Sequence, residues 1–186
     1  MPRPAKAAAV AERFRAQPLD FAALLDNRAH PLAELGRKWR DSAGEFDATV
    51  SSFASQDTVL PRLMIVGVPH REAAPVFRYI GEGLFPWLPC GYHRQALGEP
   101  LSNFPDRGYG AWLAGFYAAV ARDGAPRFDR VRAEIDRADG EVYATQYERL
   151  LLPWRGGSRE TLVSLVVRKV EAMAPISAVQ AAGAAG

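Results

Sequence analysis

Two histidines, a glutamate and a cysteine occur at spacings that are typical of a metal-dependent enzyme. His70 and Glu72 form an H-x-E pair, and Cys90 and His93 lie in a P-C-x-x-H string. Imidazole and thiolate groups are the usual ligands of zinc, and a neighbouring glutamate could move protons. However, Pro75 follows Glu72 after only two residues, so that a strand alone fits between the H-x-E pair and the P-C-x-x-H string. The metal-binding arrangement would need a helix and a strand there. The spacing therefore favours a surface His70 and a partly buried Cys90 over a zinc site.

Motifs for nucleotide binding or acyl transfer are absent from the sequence. Gly81-Glu82-Gly83 lacks the third glycine and the following helix of a dinucleotide loop. There is no P-loop and no G-x-S-x-G, and Ser158 follows Gly157 in a turn without a histidine or acid placed to activate it. We therefore expect a protein without enzymatic activity.

Composition and charge restrict the classes of partner. The 186 residues include 23 Lys and Arg against 21 Asp and Glu, a net charge of +2, and 48% are hydrophobic. This balance predicts neither a nucleic acid nor a membrane as partner. The lone Cys90 excludes an internal disulfide and indicates a reducing compartment. No secretory signal or apolar run of spanning length is present, so we expect a cytoplasmic protein.

The N-terminal third is predicted to be helical. Strong helix formers over residues 5–17 end at Pro18. Residues 31–55 then predict one long amphipathic helix, whose apolar positions keep a 3-4 spacing: Leu32, Leu35, Trp39, Phe46, Val50 and Phe53. This spacing is typical of a seam between two helices and predicts a homodimer through residues 31–55, although packing on the protein's own sheet fits equally well.

From Leu60 onward the hydrophobic period becomes that of strands. Strands are predicted over residues 63–68, 76–81, 127–135, 141–154 and 161–170, with one clear helix over 107–122 and an irregular stretch over 82–106 that includes a short helix around 92–97. The last strand is apolar on both faces, so both faces must be covered. The predicted fold is α+β, a five-stranded antiparallel sheet with the internal helices on one face and the N-terminal helices on the other.

Several strings in this order resemble the PAS family, in particular the single-PAS proteins of alphaproteobacteria. They are Leu60-Pro61 leading into LMIVGV, then VFRYIGEG, ALGEPL, YGAWLAGFYAAVARDGAPRFDRVRAEI and YERLLLPW. The resemblance covers about residues 60–170. It implies a helical extension over 1–59 used for packing or dimerisation, a PAS-like sensory domain over 60–172 and a flexible tail over 173–186.

The resemblance also implies a function. PAS modules act as sensory or dimerising domains, and some bind haem, flavin or small acids. We expect a stand-alone regulatory domain that binds a small molecule or a protein partner of a signalling pathway and signals through its N-terminal helices. A small cavity between the sheet and residues 82–122 would be lined by the candidate ligand-binding residues Tyr79, Trp87, His93, Trp112, Phe116 and Tyr147.

Two alternatives remain open at this point. His93 lies in the segment that closes over the pocket in PAS domains and could ligate a haem iron, although no cofactor is the leading expectation. The second alternative is an NTF2-like cone with His93 or Asp106 as a base in a deep pocket. Strand order separates these folds, because a PAS sheet places its first strand centrally, beside its last.

Overall fold

One antiparallel sheet organises the chain. The computed structural model describes residues 13–71, 73–84, 88, 91–137, 140–155, 159–169 and 174–175. The strands within these ranges are β1 (Phe14–Pro18), β2 (Leu63–Pro69), β3 (Val76–Ile80), β4 (Arg127–Asp136), β5 (Val142–Trp154), β6 (Glu160–Lys169) and β7 (Ala174–Pro175). Their order is β1-β4-β5-β6-β2-β3, and β7 pairs with β5.

The strand order distinguishes the two folds considered from the sequence. Strand β2, the first of the predicted sheet, lies inside the sheet between β3 and the last long strand β6. This is the arrangement that the PAS resemblance implies, so the fold is α+β and PAS-like. The five predicted strands are confirmed, and β1 extends the sheet beyond β4.

Helices after β3 cover one face of the sheet, which we call the inner face. They are α4 (Tyr92–Gln95), a 3₁₀ turn (Leu101–Asn103) and α5 (Arg107–Asp123). Helix α5 begins at the N-cap Asp106 and ends at Gly124, whose φ of 62° lies in the left-handed region. Its apolar stripe packs on the sheet through Tyr109, Leu113, Tyr117 and Val120.

Three short helices cover the opposite, outer face. They are α1 (Phe21–Asp26), α2 (Ala33–Asp41) and α3 (Ala48–Ala54). Together with β-strand side chains they form a second hydrophobic cluster, which includes Leu24, Leu35, Phe53, Leu150, Leu152 and Trp154. The doubly apolar β6 is therefore covered on both faces, as predicted.

The helix predicted over residues 5–17 is wrong at its C-terminal end. Phe14–Pro18 forms β1, and residues 5–12 lie outside the described ranges. The Phe14 side chain is buried on the inner face, while Arg15 is exposed. Pairing with β4 over Ala133 to Asp129 stabilises this extended backbone, and such a long-range contact leaves no mark in local periodicity.

The continuous helix predicted over residues 31–55 is also wrong. Helices α2 and α3 are separated by a turn in which Ala43 has φ 52° and Gly44 has φ 80°. The apolar positions of both helices pack on the outer face of the same chain, and the Trp39 indole donates to the Pro153 carbonyl oxygen at 2.6 Å. The surface predicted for a dimer seam is therefore used within the monomer, and dimerisation itself stays a prediction.

Part of the predicted flexible tail forms a strand. Within the predicted flexible tail, Ala174–Pro175 pairs with Tyr143 and Ala144 of β5, and residues 176–186 lie outside the described ranges.

Among the described residues, no helix combines the length and apolar character needed to span a bilayer.

Candidate functional site

A fully buried ion pair joins β4 and β5 on the inner face of the sheet. Asp129 and Arg149 are direct cross-strand partners, and both side chains are 0% exposed. Arg149 donates through Nε and Nη2 to Asp129 Oδ2 at 3.1 and 2.9 Å. Arg127 donates to the same carboxylate through Nε at 2.8 and 2.9 Å. One carboxylate therefore holds two guanidinium groups.

Aromatic rings from α5 cover this ion pair. The Arg149 guanidinium carbon lies 4.1 Å from the Phe116 ring centre and 4.9 Å from that of Trp112. The Arg127 guanidinium carbon lies 4.6 Å from the Phe116 ring centre. Such contacts are attractive because the face of an aromatic ring is negative, and the attraction increases when water is excluded. The Phe116 ring thus contacts both guanidinium groups.

Three tyrosine hydroxyls lie near the Arg149 charge. Tyr109 and Tyr147 share a hydrogen bond between their hydroxyls, and Tyr117 is fully buried beside them. Burial raises the pKa of all three hydroxyls, while the positive charge of Arg149 partly opposes this increase in pKa. The tyrosines are therefore neutral at physiological pH and can donate hydrogen bonds.

Two polar atoms of this cluster have no hydrogen-bond partner among the described residues. They are Arg149 Nη1 and the Tyr117 hydroxyl oxygen, both buried from solvent. An unpaired buried donor costs about 1–3 kcal/mol, and more when the group is charged. Few such groups occur in native proteins, so each one calls for a physical explanation such as a bound water or ligand.

A second ion cluster lies directly behind the first, on the outer face. Glu148 accepts from Arg130 at 2.9 Å, from His30 Nε2 at 3.0 Å and from Arg168 at 3.4 Å. Because His30 Nδ1 accepts from the Leu32 backbone N–H, its Nε2 carries the proton given to Glu148. Burial alone would raise the pKa of Glu148, but the hydrogen bonds from Arg130 and His30 outweigh it and lower the pKa.

The two clusters are built from adjacent residues of the same strands. Asp129 and Arg149 pair on the inner face, while their neighbours Arg130 and Glu148 pair on the outer face. Successive side chains of a strand point to opposite faces, so the two pairs lie on opposite sides of the same part of the sheet. On the inner face β4 carries the acid and β5 the base, and on the outer face the charges are reversed. These four side chains connect α5, whose rings cover Arg149 on the inner face, with His30 in the loop before α2 on the outer face.

Three of the predicted ligand-binding residues meet at the inner-face cluster. Trp112 and Phe116 stack on Arg149, and the buried Tyr147 contributes its hydroxyl. The structure therefore brings these three side chains together, around a charge that the prediction did not include.

Of the other three predicted residues, two lie elsewhere and one is not described. Tyr79 packs on the outer face and donates to the Leu60 carbonyl oxygen at 3.2 Å, so its placement in an inner pocket is wrong. His93 on α4 is partly exposed, with Nε2 3.2 Å from a Glu82 carboxylate oxygen. Trp87 lies outside the described residues.

Asp106, the alternative catalytic base, is occupied by structural contacts. Its carboxylate accepts from the backbone N–H of Tyr109 and of Asp136, both at 2.9 Å, and from Arg13 at 3.1 Å. These bonds cap α5 and join it to the end of β4. Asp106 thus fixes the position of the helix that covers Arg149.

The metal pattern of the sequence receives no support from the described chain. Within the described ranges, no group of three or more histidine, cysteine or acidic side chains is placed to hold an ion. His70 lies after β2 and contacts Thr161, with 3.3 Å between His70 Nε2 and the threonine hydroxyl. Glu72 and Cys90 lie outside the described residues.

Sequence reasoning missed Asp129 and Arg149, although a signal was present. Both share the inward parity of their strands, Asp129 with Val131 and Arg149 with Tyr147 and Leu151. A charge at an inward position of each of two neighbouring strands predicts a buried pair. Whether Asp129 and Arg149 lie opposite each other depends on the register of β4 and β5, and that register depends on the geometry of the hairpin between them.

Comparisons with known proteins show distant likenesses to solved structures. No family model and no curated protein matches the chain. A domain of an HTR-like protein from Haloarcula marismortui aligns with TM-score 0.37 and 16% identity, covering 59% of this chain and 99% of that domain. VqmA bound to DPO aligns with TM-score 0.42 and 14% identity, over 66% of this chain and 56% of VqmA. An RNA-binding light-oxygen-voltage receptor aligns with TM-score 0.41 and 14% identity, over 85% of this chain and 38% of the receptor. The fold assignment rests on the strand order described above.

Proposed function

We propose that this chain is a non-enzymatic, PAS-like sensory domain of the alphaproteobacterial single-PAS type, and that it binds a small molecule at the inner-face cluster. The observation that carries the proposal is that Arg149 Nη1 and the Tyr117 hydroxyl, both buried, have no hydrogen-bond partner among the described residues. A bound ligand that accepts hydrogen bonds from both would remove the cost of leaving them unpaired. The aromatic cover supplies the apolar remainder of such a site.

The back-to-back ion pairs offer a route from the ligand to the outer helices. A ligand that accepts from Arg149 Nη1 shares the guanidinium with Asp129 and so favours the arrangement of β4 and β5 in which both contacts fit. Glu148 and Arg130 are the adjacent residues and hold His30, which precedes α2. A ligand can shift this equilibrium only as far as it prefers one arrangement over the other. The output is then a change in how the outer helices pack, read by a partner protein.

Thermal stability in the presence of a library of small polar metabolites tests the proposal. We expect at least one compound to raise the melting temperature of the wild type and of Tyr79→Phe, but not of Tyr117→Phe. The Tyr79 variant is the matched control because its hydroxyl bonds to Leu60 on the opposite face. Equal stabilisation of Tyr117→Phe by every compound that stabilises the wild type would contradict the site, and a library without any stabilising compound would contradict the function.

A further inference from the structure

Two groups of the inner-face cluster that can donate hydrogen bonds have no partner among the described residues. Arg149 has five N–H groups, of which Asp129 accepts one from Nε and one from Nη2, and Nη1 has no hydrogen-bond partner among the described residues. The Tyr117 hydroxyl is the second unpartnered group. Because Nη1 cannot accept a hydrogen bond, a ligand at this position must present an acceptor. A ligand that engages both groups therefore needs two acceptor oxygens.

The charge of the cluster favours an anion. Arg127 and Arg149 carry two positive charges, and the Asp129 carboxylate between them carries one negative charge. The three neighbouring tyrosines are neutral, because burial raises the pKa of each hydroxyl. The cluster therefore retains one unbalanced positive charge in a water-poor environment, where charge pairing is strong. One singly charged anion neutralises it.

The surroundings set the size and the shape of that anion. The inner face around Arg149 is apolar, with Leu113, Val131 and Leu151 fully buried in the same hydrophobic cluster. An anion with several charges would leave charge unpaired among these side chains, which is costly. A planar group with one charge, two oxygens and a short apolar substituent fits the donors and the lining together.

A ligand would reach the inner-face cluster at Phe116. Its ring lies against both guanidinium groups and is only partly buried, while Arg127 beside it is 33% exposed. Rotation of this side chain would remove one of the two rings that contact Arg149 and would leave the sheet intact.

We infer that the ligand of the inner-face cluster is a small monocarboxylate, held by Arg149 Nη1 and the Tyr117 hydroxyl and admitted by displacement of the Phe116 ring. This inference rests on the proposed function and names its ligand class. The arginine supplies the charge, and the tyrosine orients the second carboxylate oxygen. Asp129 keeps the guanidinium in place throughout.

Matched acids and amides test the inference. The probes are propionate, benzoate, propionamide, benzamide and inorganic phosphate, each titrated into the wild type by calorimetry and by thermal shift. We expect at least one carboxylate to bind and stabilise the protein, with its amide at least tenfold weaker and phosphate without effect. Tyr117→Phe should weaken carboxylate binding about tenfold, in line with the loss of a hydrogen bond to a charged group, whereas Tyr79→Phe should not.

The remaining outcomes separate the inference from the proposed function. Equal binding of acid and amide, or binding of phosphate in preference to both carboxylates, would overturn the carboxylate class and leave a small-molecule site in place. Binding that is unaffected in Tyr117→Phe would overturn the location. If no probe binds, the inference fails whatever the stability of Tyr117→Phe, and the wider metabolite library decides the proposed function; a Tyr117→Phe variant that is less stable than the wild type would then indicate that a bound water satisfies the hydroxyl.

Discussion

Asp129 is the residue on which the inner-face cluster depends most. It neutralises one of the two guanidinium groups and fixes the orientation of both through four hydrogen bonds. Taking such charges out of water is expensive, and the expense is tolerated only while the pair is intact. Removal of Asp129 would leave the buried Arg149 charge without compensation.

Replacing Asp129 therefore has a large expected effect. Asp129→Asn should lower the free energy of unfolding by about 3–5 kcal/mol, because it leaves buried charge without compensation. Asp136→Asn in the same strand is the matched control, since Asp136 is 52% exposed in its ion pair with Arg13 and should cost about 0–1 kcal/mol. Urea denaturation measures both, and equal effects would contradict a buried, dependent pair.

Glu148 makes the outer-face cluster sensitive to acid. Its pKa is lowered in the folded protein, so the ionised form stabilises the fold above the ordinary glutamate pKa of about 4.3, and this contribution is lost as pH falls through the folded-state value. Glu148→Gln should therefore cost about 1–3 kcal/mol at neutral pH and little in strong acid. Denaturation at a series of pH values measures the difference, and a gap independent of pH would contradict the prediction.

At the scale of elements, local patterns predicted what local interactions decide. Helix α5 was predicted within a residue because its apolar residues recur at spacings of three and four and Gly124 ends it. The long helix over 31–55 failed at Ala43, a non-glycine residue in the left-handed region that no period reveals. Strand β1 failed for a different reason, since its extended form depends on β4, which lies more than 100 residues away.

Close packing of α5 on the turn before it yields a test at this scale. A Cβ at Gly110 would collide with the Leu101 carbonyl oxygen and lie 2.7 Å from Phe104 Cβ, whereas one at Gly115 has open space. Gly110→Ala should destabilise the protein by about 1–3 kcal/mol despite the better helix propensity of alanine. Gly115→Ala should stabilise it by up to about 1 kcal/mol. Thermal unfolding compares the two, and a stabilising Gly110→Ala would contradict the packing.

At the scale of the whole molecule, the sheet has a hydrophobic cluster on each face, and the polar site lies within the inner one. The sequence was sufficient to predict the layers, the five strands β2 to β6 and the covering of both faces. It was not sufficient for the site, because Asp129 and Arg149 are joined only by strand register and Tyr117 only by the docking of α5. Three of the aromatic residues were predicted because aromatic side chains on such surfaces are recognisable without knowledge of register.

The outer helices are expected to be required for a soluble fold. A chain without residues 13–59 would expose Leu150, Leu152, Trp154 and Val166, which those helices bury. Apolar patches of this kind cause aggregation. The shortened chain should therefore be insoluble or bind hydrophobic dyes strongly, as measured by solubility and dye fluorescence. A soluble fragment that unfolds cooperatively would show that residues 60–172 cover themselves.

The central claim is that the buried Arg149 guanidinium contacts the ligand, and arginine side-chain NMR tests it most directly. The Arg149 Nε–H signal can be assigned by its proximity to the rings of Trp112 and Phe116. We predict slow hydrogen exchange for this group in the free protein and a change of its chemical shift on addition of a carboxylate that stabilises the protein. Rapid exchange, or a signal unchanged at saturating carboxylate, would contradict the account.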